Sequence, residues 1–212
     1  MRLIILGLFA VTAAVHLCAI LTGKRRLRRI SKVCLMPFLI FYYISQAERP
    51  FPVVVLGAVF GWAGDILLIW ISRVRYFRMG LAGFLLGHLC YILSMLYLAG
   101  GVHLPALVIS AAGAVPLGLL ILRRIKPDRA MRIPAVLYGI IIELMVISAL
   151  QLMLARTDSR GLAVFVGSLL FLISDTVLGY LTFRTTTRGG SFFVMLTYIA
   201  AQSCIIIGLA HG

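Results

Sequence analysis

Three carboxylates lie inside long apolar runs: Asp65 in FGWAGDILLIW, Glu143 in YGIIIELMVISAL and Asp175 in FLISDTVLGY. The chain has only six acidic residues in all. An ionised carboxylate at the centre of a bilayer costs about 2.5 to 3.5 kcal/mol on insertion scales, so such residues as a rule face a bundle interior and serve a function. Two carboxyls sharing a desolvated site can divide the labour. One, kept protonated by burial and a neighbouring negative charge, donates a proton; the other, ionised, stabilises a cation and orients water. The same residues can also relay protons for a carrier. Glu143 has a simpler alternative, a protonated, hydrogen-bonded acid within the bundle.

Other polar side chains fall in the same apolar surroundings. His88 and Tyr91 are three residues apart and Tyr198 and Gln202 four apart, so each pair shares a helix face. Tyr138 belongs to the run of Glu143, and Lys32 follows the basic stretch KRRLRR. Lys32 can snorkel to the interface or contact a phosphate. Tyr42, Tyr43 and Tyr76 read as interfacial belt residues. Gly57, Gly61, Gly64, Gly80, Gly83 and Gly87 read as sites of close helix approach. The chain contains no Gly-rich phosphate loop, nucleophile elbow or HExxH pattern. Its four cysteines, Cys18, Cys34, Cys90 and Cys204, lie in apolar runs without paired spacing, which implies neither a disulfide framework nor a zinc site. The acid–anion chemistry requires no metal or cofactor.

The elements that must position these groups follow from composition. With 62% hydrophobic and 12% charged residues and a mean hydropathy of +1.10, the chain reads as a multi-pass membrane protein. Lipid offers no partners to backbone N–H and C=O groups, and long apolar runs without alternation exclude a barrel, so the spans are helices. The expectation is an all-α integral membrane bundle of eight transmembrane helices forming one domain over residues 1–212. The spans fall at 2–22, 30–46, 52–71, 79–99, 104–122, 132–154, 161–183 and 190–211. Sixteen of the twenty basic residues gather in the first, third, fifth and seventh loops and their flanks. The positive-inside rule then places those loops in the cytoplasm and both termini outside, in a bacterial inner membrane or its equivalent. The net charge of +14 is met by anionic headgroups, with no need of nucleic acid. The first run is no secretory signal, because its charge follows the apolar stretch.

FGWAGDILLI and LFLISDTVLG are alike at an offset of 110 residues, which also takes His88 to Tyr198. Four spans separate the two, which suggests a parallel 4+4 repeat. In the expected topology Asp65 and Asp175 lie about 10 to 12 Å from the cytoplasmic ends of their spans, with His88 and Tyr91 somewhat deeper. Tyr138, Glu143, Tyr198 and Gln202 fall between that end and the midplane. Polar groups from several spans thus converge on a cavity in the inner half of the bilayer, with Lys32 at its mouth.

SKVCLMPFL, FGWAGDILLI, GLAGFLLGHLCYIL, the span of Tyr138 and Glu143, SLLFLISDTVLGY and YIAAQSC together resemble the YhhN family of membrane lysoplasmalogenases, in order over nearly the whole chain. The signatures are Lys32 with Pro37, Gly64-Asp65 followed by Leu68, His88 with Tyr91, and Ser174-Asp175. The resemblance implies hydrolysis of the vinyl ether of a lysoplasmalogen to a fatty aldehyde and a glycerophospho-alcohol, with Asp65 and Asp175 catalytic. Lys32, His88, Tyr91, Tyr138, Glu143, Tyr198 and Gln202 would then bind or orient substrate, which is a lysophospholipid drawn from among membrane lipids. The competing reading is a proton-coupled transporter of a small solute or lipid.

Overall fold

The computed structural model describes residues 2–47, 50–104, 107–108, 112, 116, 118, 120 and 129–210. Among them are seven α-helices and no strand. They are α1 (Arg2–Leu21), α2 (Arg25–Gln46), α3 (Pro52–Leu67), α4 (Val74–Leu98), α5 (Arg129–Ala155), α6 (Ser159–Phe183) and α7 (Arg188–Leu209). Six are long and apolar enough to cross a membrane, and the chain is an integral, multi-pass membrane protein. The helix expected over 104–122 lies largely outside the described residues.

Local chemistry accounts for the helix ends. Between α1 and α2 the chain turns at Gly23, whose φ of +72° suits glycine. α2 therefore begins at Arg25, five residues before the expected span. Basic residues are good helix formers, and a run of charge need not be a loop. The same run keeps α2 out of the six apolar candidates. α3 opens on Pro52, whose missing N–H costs nothing at a helix start, and tightens into a 3-10 turn at Leu68–Trp70. α4 begins at Val74, earlier than expected, with Arg75 and Arg78 in its first turns. The Asp158 side chain caps α6, accepting from the N–H groups of Arg160 and Gly161, and Thr187 caps α7 by accepting from Gly190 N–H. These backbone bonds, Gly161's above all, hold the exposed Asp158 carboxyl below its usual range.

Packing closes a ring: α2 against α3, α3 against α4, α4 against α5, α5 against α6, α6 against α7, and α7 back against α2, with α1 outside on α2 and α7. The α1–α2, α3–α4 and α6–α7 turns share one end. There the Arg188 guanidinium comes within 3.5 Å of the place a Cβ on Gly23 would occupy, and Phe77 meets Phe183 at 6.1 Å between centroids. At the opposite end Tyr43 Oη accepts from Phe51 N–H at 3.1 Å, and Phe51 stacks on Tyr97 at 5.1 Å.

α3–α4 and α6–α7 meet in the same way. A Cβ on Gly57 would lie 3.0 Å from Cys90 Cβ and 3.1 Å from the Gly87 carbonyl, and one on Gly167 2.9 Å from Cys204 Cβ and 2.8 Å from the Ala201 carbonyl. Gly57 and Gly167 keep the offset of 110, but the second helices stand 114 apart. By contact, His88 corresponds to Gln202 and Phe84 to Tyr198, one turn away from the pairing expected in sequence. The second hairpin has four more residues between its contact points.

Candidate functional site

Every helix of the ring contributes polar side chains to the site: Lys32 from α2, Asp65 from α3, His88 and Tyr91 from α4, Tyr138 from α5, Asp175 from α6, and Tyr198 and Gln202 from α7. Asp65 is only 2% exposed and forms an ion pair with Lys32, Nζ to Oδ1 at 3.2 Å. Its other oxygen, Oδ2, accepts from Tyr198 Oη–H at 2.5 Å. Tyr198 lies within hydrogen-bonding reach of Gln202, whose Oε1 accepts from Tyr91 Oη–H at 3.1 Å. Tyr91 thus donates to Gln202, and Tyr198 donates to Asp65. A carboxyl that accepts on both oxygens, one from an ammonium, has the partners an anion takes.

Asp175 is arranged differently. It is half-buried, and its Oδ2 accepts a short hydrogen bond from Tyr138 Oη–H. Among the described residues no cation stands within ion-pair distance of it, and Oδ1 has no hydrogen-bond donor. Asp65 and Lys32 both act on it electrostatically. The helix of each aspartate is thus engaged by the helix before it in the chain: α2 reaches Asp65 with a cation, and α5 reaches Asp175 with a phenol.

The supports are specific. Trp62, one turn before Asp65, donates its indole N–H to the Val33 carbonyl at 2.8 Å, which draws the Lys32 stretch of α2 onto α3. Ser174, fully buried beside Asp175, donates to the Val194 carbonyl at 3.0 Å and ties α6 to α7. Gly64 admits the Phe84 ring to α3, since a Cβ there would lie 2.8 Å from it. Phe84, Phe171, His88 and Tyr198 form an aromatic layer beside the carboxylates, with Phe171 4.6 Å from His88 and 5.4 Å from Tyr198.

Lys32, Asp65 and Tyr198 form one bonded network, with the Tyr91–Gln202 pair and the Tyr138–Asp175 pair beside it. His88 lies in the aromatic layer 5.7 Å from the Tyr138 ring. Glu143 is apart from both, because its carboxylate lies against Gly118. Five residues after Tyr138 is 500° of helix, or about 140° around α5. Trp62, Phe84 and Phe171 were not singled out in sequence, and Ser174 was named only as part of the Ser174-Asp175 signature. Trp62 and Phe84 sit three and four residues before Asp65 and His88, the helical spacing by which they could have been found. Among the described residues no group of three or more His, Cys, Asp or Glu could hold a metal ion.

The model of the YhhN family matches residues 27–209. Lysoplasmalogenase TMEM86B of Homo sapiens is 32% identical over 176 residues, covering 82% of this chain and 70% of that protein. The Sus scrofa protein of the same name is 32% identical over 149 residues, covering 70% of this chain and 59% of its own. No solved structure matches the chain.

Proposed function

The chain belongs to the YhhN family, and we propose from that premise and the site geometry that it is a membrane hydrolase cleaving the vinyl ether of lysoplasmalogens. The products are a fatty aldehyde and a glycerophospho-alcohol. The observation that carries the reading is the asymmetry of the two carboxyls. Asp65 accepts from Lys32 and Tyr198 on its two oxygens, whereas Asp175 accepts from Tyr138 alone among the described residues.

Vinyl ethers are protonated at the carbon distant from oxygen, which leaves an oxocarbenium ion. Asp175 is the donor: it is half-buried, has no ammonium within ion-pair distance among the described residues to hold it ionised, and lies beside an anion that opposes a second negative charge. Asp65 is the anion that the developing cation faces. Its stabilisation comes from a prearranged charge in a water-poor site and requires little reorganisation during the reaction. Water then adds, and the hemiacetal collapses to aldehyde and glycerol oxygen. The division parallels the two carboxyls of glycoside hydrolysis, except that the proton goes to carbon.

Lys32 fixes Asp65 as an anion and, being 15% exposed, keeps donors for a phosphate oxygen at the basic end. A single-chain lysolipid suits this arrangement, with its tail among the helices and its headgroup among Arg25, Arg28 and Arg188. The test is aldehyde release from lysoplasmenylethanolamine in water enriched in oxygen-18, beside an ester lysophospholipid. The vinyl ether alone yields aldehyde, and the glycerol product carries no label because its C–O bond is never broken. Equal turnover of the ester, or label in the glycerol product, would contradict the assignment.

A further inference from the structure

His88 takes part in none of these steps, yet it is 1% exposed and lies beside Tyr138, the tyrosine that holds Asp175. Its Nδ1 is 2.5 Å from the Phe84 carbonyl, one turn back along α4. A carbonyl can only accept, so Nδ1 carries the proton. That bond leaves Nε2 on the other side of the imidazole, buried, where no group among the described residues pairs with it. In the resting site a second proton on Nε2 would leave an unpaired cation among the rings of Phe84, Phe171 and Tyr138, a cost that falls once Asp175 has given up its proton and stands as an anion. Nε2 therefore presents a lone pair, its tautomer fixed by the bond on the other side of the ring. A phenylalanine would fill the same space without burying an unmet acceptor.

We propose that His88 Nε2 is the base that takes a proton from the water adding to the oxocarbenium ion, which makes His88 a third catalytic residue; the inference rests on the vinyl ether reading above. The balance closes without another reagent. Asp175 gives its proton to carbon, and water bonds to the cationic carbon while passing one proton to Nε2. The hemiacetal hydroxyl then returns a proton to the Asp175 carboxylate as the C–O bond to glycerol breaks. The proton on Nε2 passes to the departing glycerol oxygen. Both side chains end as they began, and one water has been consumed.

The test compares purified wild-type protein with His88→Phe and His88→Ala on lysoplasmenylethanolamine. His88→Phe, which removes the unmet acceptor and keeps the shape, melts at or above the wild-type temperature. Its kcat falls by roughly 10²- to 10⁴-fold, the usual contribution of a positioned acid or base, with KM little changed. His88→Ala regains turnover with added imidazole, but not with pyrazole, a ring of the same size and far weaker basicity. Wild-type turnover in His88→Phe, or equal rescue by both rings, overturns the proposal and leaves His88 a packing residue. A folded wild-type protein that releases no aldehyde overturns the vinyl ether reading itself, and this inference with it.

Discussion

Lys32→Met isolates what the ion pair does for Asp65. The substitution keeps an unbranched side chain of similar length and removes the charge. At 3.2 Å the pair attracts by about 5 kcal/mol at an effective dielectric constant of about 20. Lys32 is 15% exposed, so water screens part of this, while Asp65 at 2% has no such relief. Removing one partner of a buried pair typically costs about 3 to 5 kcal/mol, since the other charge stays buried alone. For a chain of this size each kcal/mol moves the melting temperature by roughly 2 to 4 °C, so Lys32→Met should melt about 6 to 20 °C lower. Asp65→Asn should cost less, under about 2 kcal/mol. Tyr198 can still donate to the amide oxygen, and Lys32 can turn to water at the basic end. Trp62, bonded to Val33 next to Lys32, supplies a local fluorescence signal for melts in detergent. Lys32→Met melting with the wild type, or Asp65→Asn falling as far as Lys32→Met, would refute the reasoning.

Tyr138→Phe removes only the hydroxyl that Asp175 accepts from. As Asp175 gives its proton to carbon this becomes a hydrogen bond to a charged group, worth about 1.5 to 3 kcal/mol, so kcat should fall roughly 10- to 150-fold with the melting temperature nearly unchanged, as steady-state assays and melts will show. Gly64→Ala forces a Cβ to within 2.8 Å of the Phe84 ring and should destabilise by about 1 to 3 kcal/mol. Gly189→Ala, which meets nothing within 4 Å, is the matched control and should be neutral or slightly stabilising in the same melts. Asp158→Ala removes the cap of α6. Because this carboxyl titrates lower in the folded protein, its stabilisation is present above the ordinary aspartate range near pH 4 and is lost as pH falls below it. Melts at pH 7 should separate the variant from wild type, and melts near pH 3 should bring them together.

The polar centre was legible because each of its residues interrupts an apolar run, where a charge or hydroxyl must be met by a partner. The identity of the partners was not. Lys32 read as a cation at the cavity mouth, and its reach to Asp65 depends on how α2 leans on α3, which Trp62 and the Val33 carbonyl decide. The likeness around Asp65 and Asp175 was visible in sequence, but four additional residues in the second hairpin shift the following helix by a turn, so Tyr198 stands where Phe84 does. Glu143 shares a helix with Tyr138, and only helical phase separates their faces. The start of α2 was hidden by its own composition, since arginines that spoil hydropathy still favour helix. The ring of six helices has no counterpart in any single segment, because it arises from contacts between elements far apart in the chain.

The most direct test of the central claim is aldehyde release from lysoplasmenylethanolamine by wild type, Asp65→Asn and Asp175→Asn side by side. Folding of each is verified by a fluorescence melt of Trp62 and Trp70. The acid–anion pair predicts aldehyde from wild type and none above background from either folded variant. Wild-type rates in both variants, or no aldehyde from folded wild type, would contradict it, and the second result would direct attention to proton-linked uptake in liposomes.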